Sequence, residues 1–165
     1  MGGSGVNKSL ITSGAAVVAL SALAIWYVAQ GKETPAPLVF ADADISAGQV
    51  LYGDFCAACH GANLEGQPDW RSPGEDGRLP APPHDDQGHT WHHPDRVLFD
   101  YTKLGGKIAL ANQGVEFDSG MPGFGEDLRD EEILNILAYI KSTWPDRLRE
   151  VQAERSELDN QRGEG

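Results

Sequence analysis

Residues 56–60 read Cys-Ala-Ala-Cys-His. Two thiols separated by two residues, with an imidazole directly after the second, are the sequence form of covalent c-type haem attachment. Each thiol adds across one vinyl group of the macrocycle, and the two vinyls lie on neighbouring pyrrole edges. One helical turn brings both sulfurs to the same side and leaves His60 aimed at the iron. Two other chemistries use paired cysteines. A zinc site needs further soft ligands, but Cys56 and Cys59 are the only cysteines in the chain. A dithiol redox pair sits between a strand and a helix in an alternating β/α pattern, and no such pattern is visible. One covalent haem c, with its iron, is the expected cofactor.

A second soft ligand is available at Met121, the only methionine besides the initiator. Thioether sulfur favours ferrous iron, so a His60/Met121 pair raises the reduction potential. Gly120 and Gly123 allow a bend around it, and Pro122 stiffens the bend. Methionine also fills gaps in cores, but a short turn between two glycines is a poor place for that. His60 and Met121 are therefore taken as the axial metal ligands. His84, His89, His92 and His93 fall within ten residues, close to Asp85, Asp86 and Asp95. Such spacing suits copper or zinc, or a second imidazole on the iron. A proline-rich loop does not fix their geometry, so polar contacts on a haem wrap are expected, with Trp91 covering the haem edge.

These residues need elements to position them. Ser46 suits an N-cap, and Val50, Leu51, Phe55 and the cysteines recur at helical spacing, predicting a helix through the motif to Gly61. Gly66 to His93 is too rich in proline and glycine for a long helix and reads as an ordered wrap, with Trp70, Leu79 and Trp91 as apolar anchors. A helix is predicted from His93-Pro94-Asp95 to Gly105-Gly106, with Val97, Leu98 and Tyr101 as its apolar face. A turn-rich stretch then leads to the tight loop Gly120–Phe124. The clearest helix runs from Asp130 to Trp144, with Glu131 and Glu132 at its start and Ile133, Ile136, Leu137 and Ile140 in one stripe. After Pro145, Asp146 to Asp159 suits a charged helix with Leu148, Val151 and Leu158 on one side. Residues 161–165 are expected to be disordered. Strand signals are weak throughout, so the class is all-α.

The chain has 165 residues and a formal net charge of -12. Phosphate binding needs a stripe of lysine and arginine, so nucleic acid is excluded as a partner. Residues 10–29 form an uncharged apolar run of the length that spans a bilayer core. Lys8 and the amino terminus place its start in the cytoplasm, and Trp26 and Tyr27 suit the far interface. A cleaved signal peptide would have a shorter apolar core and a small-x-small cleavage pattern, which does not follow closely here. The expected organisation is a cytoplasmic N-terminus (1–9), a retained transmembrane anchor (10–29), a linker (30–42), a haem domain (43–144) and a charged C-terminal helix and tail (145–165). That places a single-pass protein in the bacterial inner membrane, with its haem domain in the periplasm.

A helix entering Cys-x-x-Cys-His, a Met-Pro loop some 60 residues later and a final helix with an acidic start occur in order between Asp44 and Trp144. In this the chain resembles the class I c-type cytochromes. The resemblance implies an all-helical cytochrome c fold wrapped around one covalent haem, here preceded by a single transmembrane helix. It further implies that the first and last helices cross, a glycine in one meeting an aromatic in the other; Gly48 and Tyr139 match that pair. It also implies a hydrogen bond from His60 to a backbone carbonyl of a proline-containing segment, for which Pro82 in Ala81-Pro82-Pro83-His84 is the match. The anchor, the histidine-rich wrap and the charged tail depart from the compact family pattern.

The function expected on these grounds is single-electron transfer between redox proteins, a donor and a terminal acceptor complex, without a small-molecule substrate. Two alternatives stay open. One is a cytochrome subunit fixed to a larger respiratory or photosynthetic complex. The other is a haem-based enzyme or gas sensor, in which Met121 leaves the iron. Residues 42–144 carry 18 acidic and 7 basic side chains, so a partner with a basic surface is expected.

Overall fold

A computed structural model describes residue 36 and residues 38–163. The expected anchor at 10–29 lies outside the described residues. Among those described, every regular element is helical, and no helix is long and apolar enough to cross a membrane.

Helix α1 (Ile45–Phe55) is capped by Asp44, not by Ser46. The Asp44 carboxylate accepts from the backbone N–H groups of Ser46 and Ala47 at 2.9 and 3.0 Å. Its negative charge also meets the positive end of the helix, which a serine hydroxyl cannot do. The backbone bends at Cys56 and resumes as the single turn α2 (Ala57–His60), closed by Gly61. An irregular wrap follows, with a 3₁₀ turn at Thr90–His92. Then come α3 (Asp95–Leu104), α4 (Gly106–Asn112), α5 (Asp130–Ser142) and α6 (Asp146–Gly163).

The core forms where α1 packs on α5. A Cβ at Gly48 would lie 1.9 Å from the carbonyl oxygen of Asn135, so only glycine lets the two backbones come this close. The Asp44 N–H donates to Asn135 Oδ1 at 2.8 Å, tying the start of α1 to the same point. The whole stripe Ile133, Ile136, Leu137 and Ile140 is buried, together with Tyr52, Phe99, Leu128 and Trp144. Tyr139, expected opposite Gly48, lies one turn along α5 from Asn135. The nearest neighbours of Gly48 are Asn135 and Ile136, while Tyr139 packs on Tyr52 with ring centroids 5.5 Å apart.

Several expectations are corrected. Helix α3 buries Leu98, Phe99 and Thr102, whereas Val97 and Tyr101 are half-buried, because α3 packs against both α5 and α6. Helix α4 occupies part of the stretch read as turns; seven residues are too few to show a period. Helix α6 buries Gln152 and Ser156, not Leu158, which is 48% exposed, and it continues to Gly163 where disorder was expected. Leu79, expected as an anchor of the wrap, is 41% exposed. The linker boundary at residue 42 is too late. Leu38 and Phe40 pack against the core, Lys141 Nζ lies 4.2 Å over the Phe40 ring, and Arg96 donates to the Ala36 carbonyl at 2.6 Å.

Candidate haem site

The bend at Cys56 organises the attachment turn. Its carbonyl accepts from the N–H groups of both Cys59 and His60, at 3.1 and 2.9 Å. Cys56 is half-buried and Cys59 exposed. Burial pushes the Cys56 thiol up to about 11. A reactive dithiol pair needs a lowered thiol, so this environment opposes that alternative.

His60 is 7% exposed, and its Nδ1 lies 2.8 Å from the carbonyl oxygen of Pro82. A carbonyl can only accept, so the proton sits on Nδ1 and Nε2 keeps the lone pair a metal requires. Burial lowers the basicity of His60, and the bond to Pro82 partly opposes it. The wrap is held against this turn by its backbone. Gly66 N–H bonds to the His60 carbonyl at 2.7 Å, Gln67 to Ala81 at 2.8 Å and His84 to Leu64 at 2.8 Å.

Among the described residues, no three His, Cys, Asp or Glu side chains converge to hold an ion. The four clustered histidines stack instead. The His84 ring lies on the His60 ring, centroids 4.0 Å apart and planes 24° from parallel. Two rings stacked this closely would not hold one iron from opposite faces. Burial, with His60 and His89 nearby, pushes the His84 imidazole well below its ordinary range, so it is neutral. His89 stacks on Trp70 at 5.1 Å, His93 meets His89 edge-on at 5.2 Å, and His92 stacks on Trp91 at 3.6 Å. Trp91 also packs, partly buried, on the core.

Met121 is half-buried in a loop laid over the junction of α3 and α4. Its carbonyl accepts from Gly106 at 3.1 Å, and Phe124 and Gly125 donate to the last carbonyls of α3, those of Thr102 and Lys103, both at 2.9 Å. Gly105, at φ +83, leaves room for this approach: a Cβ there would sit 2.7 Å from the Gly123 nitrogen. The methionine is thus positioned by a helix junction that sequence periodicity missed. Thr90, which holds His84 at 2.8 Å, was also missed. The only signal for either was glycine or threonine inside an already suspect stretch.

Two polar atoms of the wrap, His89 Nδ1 and Trp91 Nε1, are buried with no partner in the protein. An unmet buried polar group costs about 1–3 kcal/mol, so these atoms suit polar groups of a bound molecule. With two thiols one turn apart and a buried imidazole whose Nε2 is free, the residues fit the group.

The cytochrome c family model matches residues 45–144. The chain is also similar to the quinohemoprotein alcohol dehydrogenase ADH IIB of Pseudomonas putida, at 28% identity over 115 residues. That covers 69% of this chain but 13% of the relative, so the chain spans only about an eighth of its length. No solved structure matches. Members of the matched family bind haem c covalently through Cys-x-x-Cys-His, which Cys56, Cys59 and His60 provide. The match runs from the first residue of α1 to the tryptophan that closes the core: the chain belongs to the cytochrome c family, and its chemistry is haem-based electron transfer.

Proposed function

We propose that the chain is a membrane-anchored monohaem carrier, with one haem c on Cys56 and Cys59 and with His60 and Met121 as axial ligands. The observation that carries this reading is the buried His60 with its Nδ1 proton fixed on Pro82, which dedicates Nε2 to a metal. When bound, haem supplies one-electron chemistry between ferrous and ferric iron. The protein's part is to hold and insulate it. Pro82 orients His60, the loop over Gly105 presents Met121, and Trp91 and His89 offer buried polar contacts within the wrap. With His60 and Met121 both holding the iron, no position would be left on it for oxygen or a small substrate, which supports a carrier over an enzyme. Residues 10–29 hold it in the bacterial inner membrane, with the haem domain on the periplasmic face.

The test of attachment is a denaturing gel. Haem should stay with the chain and give a c-type pyridine haemochrome, and haem extracted by acid acetone would overturn the reading. For the anchor, mass spectrometry of the native protein should recover the N-terminal peptide; a mature chain beginning near Gly31 or Ala41 would show processing.

A second reading draws on the similarity to part of a larger dehydrogenase. There the chain is a cytochrome subunit fixed to a dehydrogenase or oxidase complex. Co-purification with integral subunits would favour it, and a solubilised protein that runs alone on sizing would favour the carrier.

A further inference from the structure

Two consecutive carbonyls, those of Pro82 and Pro83, hold two stacked imidazoles. Pro82 accepts the Nδ1 proton of His60. Pro83 accepts the hydroxyl proton of Thr90 at 3.3 Å. Thr90 Oγ1 also lies 2.8 Å from His84 Nδ1 and shares a hydrogen bond with it. That bond holds the plane of the His84 ring. Its backbone is gripped as well, the N–H by the Leu64 carbonyl at 2.8 Å and the carbonyl by the Trp144 indole at 2.7 Å. The ring so held lies 4.0 Å from His60 and nearly parallel to it.

We propose that His84 is a positioning residue for the proximal ligand: locked by Thr90, it stops the His60 imidazole from turning and so sets the strength of the His60–Pro82 hydrogen bond. This rests on the reading that His60 binds the iron. A ring bound through one nitrogen turns about the metal–nitrogen axis unless a flat neighbour blocks it. As it turns, Nδ1–H swings away from the Pro82 carbonyl. A weaker bond leaves the imidazole a poorer electron donor, which favours ferrous iron and raises the potential. Packing alone would not explain the arrangement. A leucine would fill the same volume, whereas a buried imidazole carries a desolvation cost that only a bonded partner such as Thr90 offsets.

The experiment uses the full-length, haem-loaded protein and its His84→Leu, Thr90→Val and Thr90→Ser variants, read by redox titration and by ferric electron paramagnetic resonance. The wild type should first show a low-spin, histidine-ligated signal; without one, the ligand reading fails and this inference falls with it. Given that signal, His84→Leu should shift the potential upward and broaden the ferric signal as several ring orientations are populated. Thr90→Val should move both in the same direction by less, and Thr90→Ser should restore the wild-type values. A His84→Leu protein that is less stable but keeps the wild-type potential and line shape would show a packing role and overturn the proposal. If His84→Leu does not load haem, the threonine pair decides: identical potentials and spectra in Thr90→Val and Thr90→Ser overturn it equally.

Discussion

Met121 is the residue on which the carrier reading turns. In a His/Met protein the ferric form shows a weak near-infrared band from sulfur-to-iron charge transfer. Met121→Ala should abolish that band and open the reduced iron to carbon monoxide. A band that persists in the variant would mean that another residue fills the position. His89 and His93 make a second prediction, on pH. Burial lowers both imidazoles; His92 and Arg71 add to this at His89, and His89, His92 and Arg155 at His93. The unfolded chain therefore takes up these protons first, from about pH 6.5 downward. Stability is full above that pH and falls as the pH drops through the lowered folded values, each tenfold difference in proton affinity between the two states being worth about 1.4 kcal/mol. Urea midpoints measured between pH 7.5 and 5.5 should show the loss, and a His89→Phe/His93→Phe double variant should flatten it. The attachment residues were legible because covalent chemistry demands one spacing. The stacking of His84 on His60 was not, because it depends on how two distant prolines seat a loop, and no local period encodes that.

Among the elements, the crossing of α1 and α5 should be the least tolerant of change. Gly48→Ala places a methyl into the Asn135 carbonyl, and backbone on both sides cannot yield, so a loss of about 3 kcal/mol or more is expected in chemical denaturation. A loss below about 1 kcal/mol would mean that the helices slide apart easily. Helix α6 is held differently. Gln152 is fully buried, with Nε2 at 2.8 Å from Asp95 Oδ1, 3.1 Å from Ser156 Oγ and 3.2 Å from the His93 carbonyl. Lys141 reaches the same carboxylate at 2.7 Å, and Asp95 N–H donates to Ser156 Oγ at 3.0 Å. Gln152→Ala should cost about 2–4 kcal/mol by stranding these groups and leaving a cavity. A near-neutral result would show that α6 is merely laid on the surface. Helix α5 could be read directly, since its apolar stripe keeps the helical period over thirteen residues. The docking face of α6 could not, because it is polar: Gln152 and Ser156 look like solvent residues until Asp95 is found opposite them. The same holds for the cap of α1, where Asp44 and Ser46 are both good candidates and only the structure separates them.

At the scale of the molecule, charge sets the kind of partner. All seven basic side chains between residues 42 and 144 are engaged. Arg78 and Lys107 share Asp118, Lys103 pairs with Asp130, Lys141 with Asp95 and Arg96 with Asp100. Arg129 pairs with Glu131 and Glu132, and Arg71 lies over Trp70. The acidic excess is therefore left to face outward, and attraction to a basic surface should speed association by roughly 10–10³-fold at low salt. Electron transfer from the protein to its isolated partner should slow as salt rises, and slow further when partner lysines are neutralised. A salt-independent rate, or one slowed mainly by neutralising Lys103 and Lys107, would count against an acidic docking face. The latch on the wrap bears on something else, the order of manufacture. The wrap gains its closing partners from Trp144, which bonds to the His84 carbonyl, and from α6, whose Gln152 meets the carbonyl of His93. Chains emerge from the N-terminus forward, so the thiols at 56 and 59 are delivered well before residues 144 and 152 exist. There is thus an interval in which both sulfurs are presented on a wrap that has not yet closed. The later residues then close the wrap without covering Cys59, which stays exposed in the finished fold, so the order of residues along the chain works as a clock, with thiol delivery first and closure afterwards.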